Sequence, residues 1–115
     1  MEKILKHLLV LFICTNIYAV DHELILSEEF PAKLSDFNFF KDASAQIPHD
    51  EVIPYELIST LFSDYSYKQR WVYVPKGKKA EYQENWVFNF PTGSALIKTF
   101  YYPVDERNPE LGKNL

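Results

Sequence analysis

A chain of 115 residues, with 17% Phe, Trp and Tyr and three glycines, has the composition of one small globular domain and is too short for a second of ordinary size. Twelve basic against sixteen acidic side chains give a net charge of −4, which argues against nucleic acid or anionic lipid as a partner. A single cysteine excludes an internal disulfide framework and a multi-cysteine zinc site.

Residues 1–19 read as a cleavable export signal. Lys3 and Lys6 give a positive start, residues 8–14 a short apolar core, and Ile17-Tyr18-Ala19 places a small residue at the cleavage position, so the cut is predicted after Ala19. The alternative of a membrane anchor fails on length, because the uncharged stretch 8–20 is well short of the roughly 20 apolar residues that span a bilayer. Cys14 follows the bulky Phe12 and Ile13, a poor context for lipidation, and is expected to leave with the leader. The remaining 96 residues carry a net charge of −5, and their only basic cluster is Lys76, Lys78 and Lys79. The mature chain is expected to be periplasmic or secreted, with no stable membrane insertion after cleavage and no nucleic-acid partner.

Residues 20–33 form an acidic amino-terminal arm, read as a mobile segment or an added edge strand. The β-rich domain is expected over 34–115. Ser35 is placed to cap a short helix in which Leu34, Phe37 and Phe40 share a face. Residues 41–49 are polar and read as a loop. Pro48 and Pro54 bracket Val52 and Ile53, which predicts an irregular crossing. Residues 57–62 suggest one helical turn with Leu57, Leu61 and Phe62 pointing inward, and Ser63-Asp64 a turn.

From Gln69 the period becomes two. Arg70, Val72 and Val74 fall on one side of a predicted strand, Trp71 and Tyr73 on the other. Pro75-Lys76-Gly77-Lys78 breaks the ladder, and the simplest continuation is a hairpin to residues 80–83. Residues 85–90 alternate again, with Trp86, Phe88 and Phe90 expected in the core. Pro91-Thr92-Gly93 turns the chain into a long β-favouring run at 95–102, closed by Pro103; Lys98 in that run marks a solvent-facing or paired position. Residues 104–115 read as a connecting loop. The fold class that follows is mainly β: an antiparallel sheet or partial sandwich with one or two short helical turns.

Chemistry-bearing clusters are sparse. His49 beside Asp50 and Glu51 is read as a solvated loop, since adjacent side chains diverge and cannot surround one cation. The acidic pairs Glu28-Glu29, Asp50-Glu51 and Asp105-Glu106 are read the same way, although a small hydrolase using acidic residues is a formal rival. Arg107 next to Asp105 and Glu106 is read as a loop tied down by an ion pair. Catalytic and metal-binding residues are assigned to none. Exposed rings could stack sugars, with Trp71 and Trp86 as candidates helped by Tyr73, Tyr101 and Tyr102; the alternative is that all of them fill the core.

The ordered series Ile53-Pro54-Tyr55-Glu56-Leu57, Leu61-Phe62-Ser63-Asp64-Tyr65, Lys68-Gln69-Arg70-Trp71, Val87-Phe88-Asn89-Phe90-Pro91-Thr92-Gly93 and Ile97-Lys98-Thr99-Phe100-Tyr101 resembles the amino-terminal region of an exported bacterial family of c-type-cytochrome-like proteins. The run Leu34-Ser35-Asp36-Phe37-Asn38-Phe39-Phe40 is similar to that family's opening motif, and the likeness spans residues 31–112. It implies a β-rich domain preceding a haem-attaching segment, and hence a domain expected to be incomplete here and truncated at its carboxyl end. The Cys-x-x-Cys-His site of longer relatives has no counterpart here, so no cofactor is expected in this chain and covalent haem c would belong to the missing portion. The expectation is a non-catalytic, exported front domain whose partner is that cytochrome-like portion. The rival is a stand-alone secreted carbohydrate-binding module using Trp71 and Trp86.

Overall fold

The structure is a computed structural model that describes residues 19–59 and 61–114, so the predicted leader lies outside the described residues up to Ala19. Helix α1 (His22–Leu26) comes first, then a 3-10 turn (Leu34–Phe37). A small hairpin of β1 (Phe40–Asp42) and β2 (Ile47–Pro48) follows, then β3 (Val52–Pro54), β4 (Tyr67–Tyr73) and β5 (Ala95–Pro103). A second 3-10 turn (Pro109–Leu111) leads to β6 (Lys113–Asn114). All pairings are antiparallel, and the main sheet runs in the order β3-β4-β5-β6. The fold is mainly β, as the sequence predicts.

Strands β4 and β5 are the backbone of the molecule. Both are rich in aromatic and β-branched residues, and their register sets Tyr73 opposite Ala95, Trp71 opposite Ile97, Gln69 opposite Thr99 and Tyr67 opposite Tyr101. Because side chains alternate, these pairs occupy one face and Val72, Arg70, Lys68, Leu96, Lys98 and Phe100 the other. The first face carries the core, in which Val20, Val52, Trp71 and Tyr73 are buried. Ile25 of α1 and Phe39 and Phe40 at the start of the small hairpin pack against them. Phe40 meets the Trp71 indole edge-on at 5.0 Å between centroids, and Phe39 stacks on Phe37 at 5.2 Å. The small hairpin thus forms a partial second layer, anchored where His49 N–H donates to Phe39 C=O and Thr99 Oγ1 donates to Gln46 Oε1 at 2.6 Å.

Several local expectations change. The arm at 20–33 carries a short helix where an edge strand is one of the two expectations: Asp21 accepts the Leu24 N–H through Oδ1, caps α1, and donates its own N–H to Phe37 C=O. Ser35 lies inside its 3-10 turn, which starts after Lys33 without a side-chain cap and ends at Asn38 in the left-handed region. The loop assigned to 41–49 contains β1 and β2, and the crossing at Val52 and Ile53 is a true strand held on β4. Pro54 is tolerated because β3 is the sheet's edge, where a missing N–H costs no ladder bond. Residues 57–59 and 61–62 show no helical turn, and Leu57, Leu61 and Phe62 are exposed.

The largest correction concerns 80–90. The predicted hairpin partner of β4 at 80–83 and the strand at 85–90 are both absent; Glu81 and Asn89 make one isolated bridge, and Trp86, Val87, Phe88 and Phe90 are exposed. The reason is competition for a single slot. β5 offers β4 seven paired residues and sets Ala95 and Ile97 against Tyr73 and Trp71, whereas the 80–90 run is interrupted by Glu84, Asn85 and Asn89. The two Pro-Gly turns form as read: Lys78 N–H donates to Pro75 C=O with Gly77 at φ +76°, and Ser94 N–H to Pro91 C=O with Gly93 at φ +88°. The carboxyl-terminal loop also contains structure, since β6 pairs with the end of β5.

Candidate functional site

The face of the sheet opposite the core carries the most distinctive chemistry. Lys68 and Arg70 of β4 project there beside Lys98 and Phe100 of β5, with Ile53, Val72 and Leu96 forming an aliphatic patch at one end. Arg70 stands directly across from Lys98, a like-charge pairing that costs stability unless something neutralises it. Lys68 lies over the Phe100 ring at 5.3 Å from its centroid, a cation–π contact that satisfies one of the three charges.

A groove of about 510 Å³ opens on this side, walled by Phe62, Tyr65, Lys68, Arg70 and Glu106. One wall is built on a strained turn. Asp64 and Tyr65 both have positive φ, at 45° and 63°, and for a bulky ring that conformation costs about 1 kcal/mol. Two serines clamp it: Ser63 Oγ donates to Ser66 C=O at 2.9 Å and Ser66 Oγ to Ser63 C=O at 2.7 Å. The arrangement holds the Tyr65 ring against Phe62, 6.1 Å between centroids, at the mouth of the groove. Cations beside aromatic walls are equipment for holding an anionic or aromatic group. Neither His22 nor His49 lines the groove with Glu106, so it brings no imidazole to that carboxylate.

The residues singled out from sequence separate. Trp71 is 3% exposed and belongs to the core, so it offers no face to a sugar. Trp86 is 80% exposed on the 80–90 excursion, near the exposed rings of Tyr82 and Phe88, which pack edge-on at 6.0 Å. The two indoles form no common platform. Of His49, Asp50 and Glu51 only Asp50 turns away as expected, its Oδ1 pairing with Lys41 Nζ at 2.5 Å; Glu51 Oε2 accepts the Val20 N–H at 3.1 Å and lies 3.8 Å from His49 Nδ1, and the His49 side chain, 13% exposed, is not the solvated group the sequence suggests. The Lys41 ammonium holds the Asp50 carboxyl below its usual range by hydrogen bond and by charge. Arg107 does the same for Asp105 through Nε–H, Nη2–H and backbone N–H donors, closing the loop after β5. Among the described residues no three His, Cys, Asp or Glu side chains converge as a metal would require.

Sequence reasoning did not assemble the basic stripe. The alternation put Arg70 on the right side of β4, but the register that brings Lys98 across from it is a long-range fact. It also missed the contact between Val20 and Glu51, two residues 31 apart in sequence.

No protein-family profile matches this chain, and no curated protein or solved structure is recognisably similar to it. The likeness to the cytochrome-like proteins therefore rests on the sequence motifs alone.

Proposed function

We propose that this chain is an exported, non-catalytic β-rich domain that works by association, as the front portion of a c-type-cytochrome-like protein whose haem and electron-transfer part lies outside the sequence described. The observation that carries this reading is the imbalance between core and surface among the described residues: four buried core residues, against exposed Ile58, Leu61, Phe62, Tyr65, Tyr82, Trp86, Val87 and Phe88. Exposed apolar surface on that scale is a mark of interaction sites. The outer edge of β5 supports it as well, since β6 pairs only with Tyr102 and Pro103 and no other described strand lies on that side. An edge of this kind accepts a further strand.

The test is co-expression with haem-maturation machinery, with and without a segment carrying Cys-x-x-Cys-His encoded next to this gene. This chain alone is expected to give no Soret band; with the segment, it co-purifies and Trp86 fluorescence shifts to the blue. Covalent haem on this chain alone, or a monomer whose surface binds neither the segment nor a hydrophobic dye, refutes the proposal.

One observation favours a second reading. The Trp86 ring is open to solvent, as a sugar-stacking residue must be. On that reading the chain is a carbohydrate-binding module, and glycan-array binding would vanish in Trp86→Ala with the fold intact.

A further inference from the structure

We infer that Val20 is the first residue of the mature protein and that Glu51 is the receptor for its freed amino group, so that removal of the leader reinforces a core contact the uncut chain already makes. The inference rests on the export reading above. It starts from a sharp boundary. Ala19 is exposed, whereas the next residue, Val20, is 6% exposed and packs in the core cluster with Val52, Trp71 and Tyr73. The Val20 nitrogen donates to Glu51 Oε2 at 3.1 Å in a partly buried position.

The nitrogen is fixed from both sides. Its own side chain is locked in the core, and the next residue, Asp21, donates its N–H to Phe37 C=O at 3.0 Å and caps α1. Glu51 is fixed in turn by the tight turn in which Val52 N–H donates to His49 C=O at 2.9 Å. Among the described residues Glu51 has no lysine or arginine partner within ion-pair distance; the nearest basic group is His49 Nδ1 at 3.8 Å. A carboxylate placed against a backbone nitrogen, with no strong cation of its own, suits a cation generated at that nitrogen.

Cleavage by a leader peptidase generates it. Water oxygen adds to the Ala19 carbonyl carbon, the C–N bond to Val20 breaks, and the Ala19 carboxyl leaves with the leader. The departing nitrogen takes up protons from water and becomes an ammonium, since an α-amine titrates near ~8. One neutral donor is thereby replaced by three charged ones at the same place. The amide N–H already meets an ionised acceptor, so what cleavage adds is the attraction between ammonium and carboxylate, and at this partly exposed site the gain is up to about fivefold in the folding equilibrium. A cut one residue earlier leaves a neutral amide against Glu51 and carries the charge away by ~3.8 Å of chain. A cut one residue later removes Val20 from the core.

The experiment has two arms. The full chain is expressed with its own leader in a secreting bacterial host, and the exported product is read by intact mass and amino-terminal sequencing. The mature chain is then made from a fusion cleaved to leave Val20 first, alongside an amino-terminally acetylated form, each with Glu51 and with Glu51→Gln, and all four are unfolded in urea. The exported product is expected to begin at Val20. The free-amine form is expected to be up to about fivefold more folded at equilibrium than the acetylated form, and Glu51→Gln is expected to abolish that difference while still accepting a neutral hydrogen bond. Met1 at the amino terminus overturns the export reading and this inference together. An exported product beginning elsewhere, or a free-amine advantage that is absent or survives Glu51→Gln, overturns this inference and leaves export standing.

Discussion

Gly93→Ala should be among the most damaging single-methyl changes in this molecule. Gly93 sits at φ +88° in the turn before β5, a region where an alanine costs about 1–2 kcal/mol in backbone strain. The added Cβ would also lie 2.4 Å from His22 Cε1 and 3.3 Å from both ring nitrogens, inside any tolerable contact. His22 cannot simply swing away. It is the first residue of α1, and its ring lies against Tyr73 at 6.1 Å, so moving it drags on the segment that seats Val20 and Ile25 over the sheet. Overpacking of this kind costs about 1–3 kcal/mol, which brings the total to about 2–5 kcal/mol. The decisive assay is a double-mutant cycle in urea with His22→Ala. In that background the collision is gone, and Gly93→Ala should cost only the ~1–2 kcal/mol of strain, a coupling of about 1–3 kcal/mol. A Gly93→Ala cost that is unchanged by His22→Ala would refute the packing of α1 against the turn.

Trp71→Ala should cost about 3–5 kcal/mol and unfold so small a domain, while Trp86→Ala should change the free energy of unfolding by less than about 0.5 kcal/mol; urea melts followed by circular dichroism on the two variants check the contrast. Lys98→Glu replaces the like-charge pairing with Arg70 by an opposite-charge one and should stabilise by about 0.2–1 kcal/mol at low salt, the gain shrinking as salt is added. Burial, and then the charge of Glu51, raise the Tyr73 phenol above its ordinary value of 10, so its contribution to stability is complete below that pH and is lost as pH rises through the raised folded value. Tyr73→Phe should therefore flatten the alkaline fall in thermal midpoint. At the acid end the lowered Asp50 and Asp105 act in the opposite sense, their contributions being present above the ordinary carboxylate value and lost as pH falls through the lowered ones. Because Asp50 is exposed and Asp105 is half-buried with its Arg107 partner open to solvent, Asp50→Asn and Asp105→Asn should leave the acid midpoint nearly unmoved in high salt.

What the sequence disclosed was whatever a strand states locally. The alternation through Arg70, Trp71, Val72 and Tyr73 located β4 and its core face, and the run ending at Pro103 located β5 to within a residue. The Pro-Gly turns were legible because only a residue without a side chain takes their positive φ cheaply. Pairing was not legible. Residues 85–90 alternate as convincingly as β4 does, and nothing local says that β5 will take the only available place beside it. The basic stripe depends on that same pairing, because Arg70 and Lys98 become neighbours only once the register is fixed. The short helix α1 was hidden for a different reason: five residues give too little period to detect, and its stability comes from the Asp21 cap and from Ile25 against the core.

The long connection 74–94 then raises a question of economy in the fold. Closing a loop of that length costs little more than closing one half as long, about 0.6 kcal/mol, so the excursion is easily tolerated. Tolerance does not explain its composition. Tyr82, Trp86, Val87 and Phe88 are large apolar side chains exposed to solvent, with Tyr82 edge-on to Phe88 and Phe88 tilted against Phe90. A loop that merely joined β4 to β5 would be at least as soluble with serine or lysine at those positions. The rings are therefore better understood by what covers them than by what they stabilise, and the two proposed coverings differ in how they would meet the surface. A protein segment that also pairs with β5 would shield several of these residues together with the sheet edge, whereas a sugar would need the face of Trp86 alone. Single substitutions at Trp86, Phe88 and Lys98 separate the cases: loss of binding at all three marks an extended protein interface, and loss at Trp86 alone marks a stacking site.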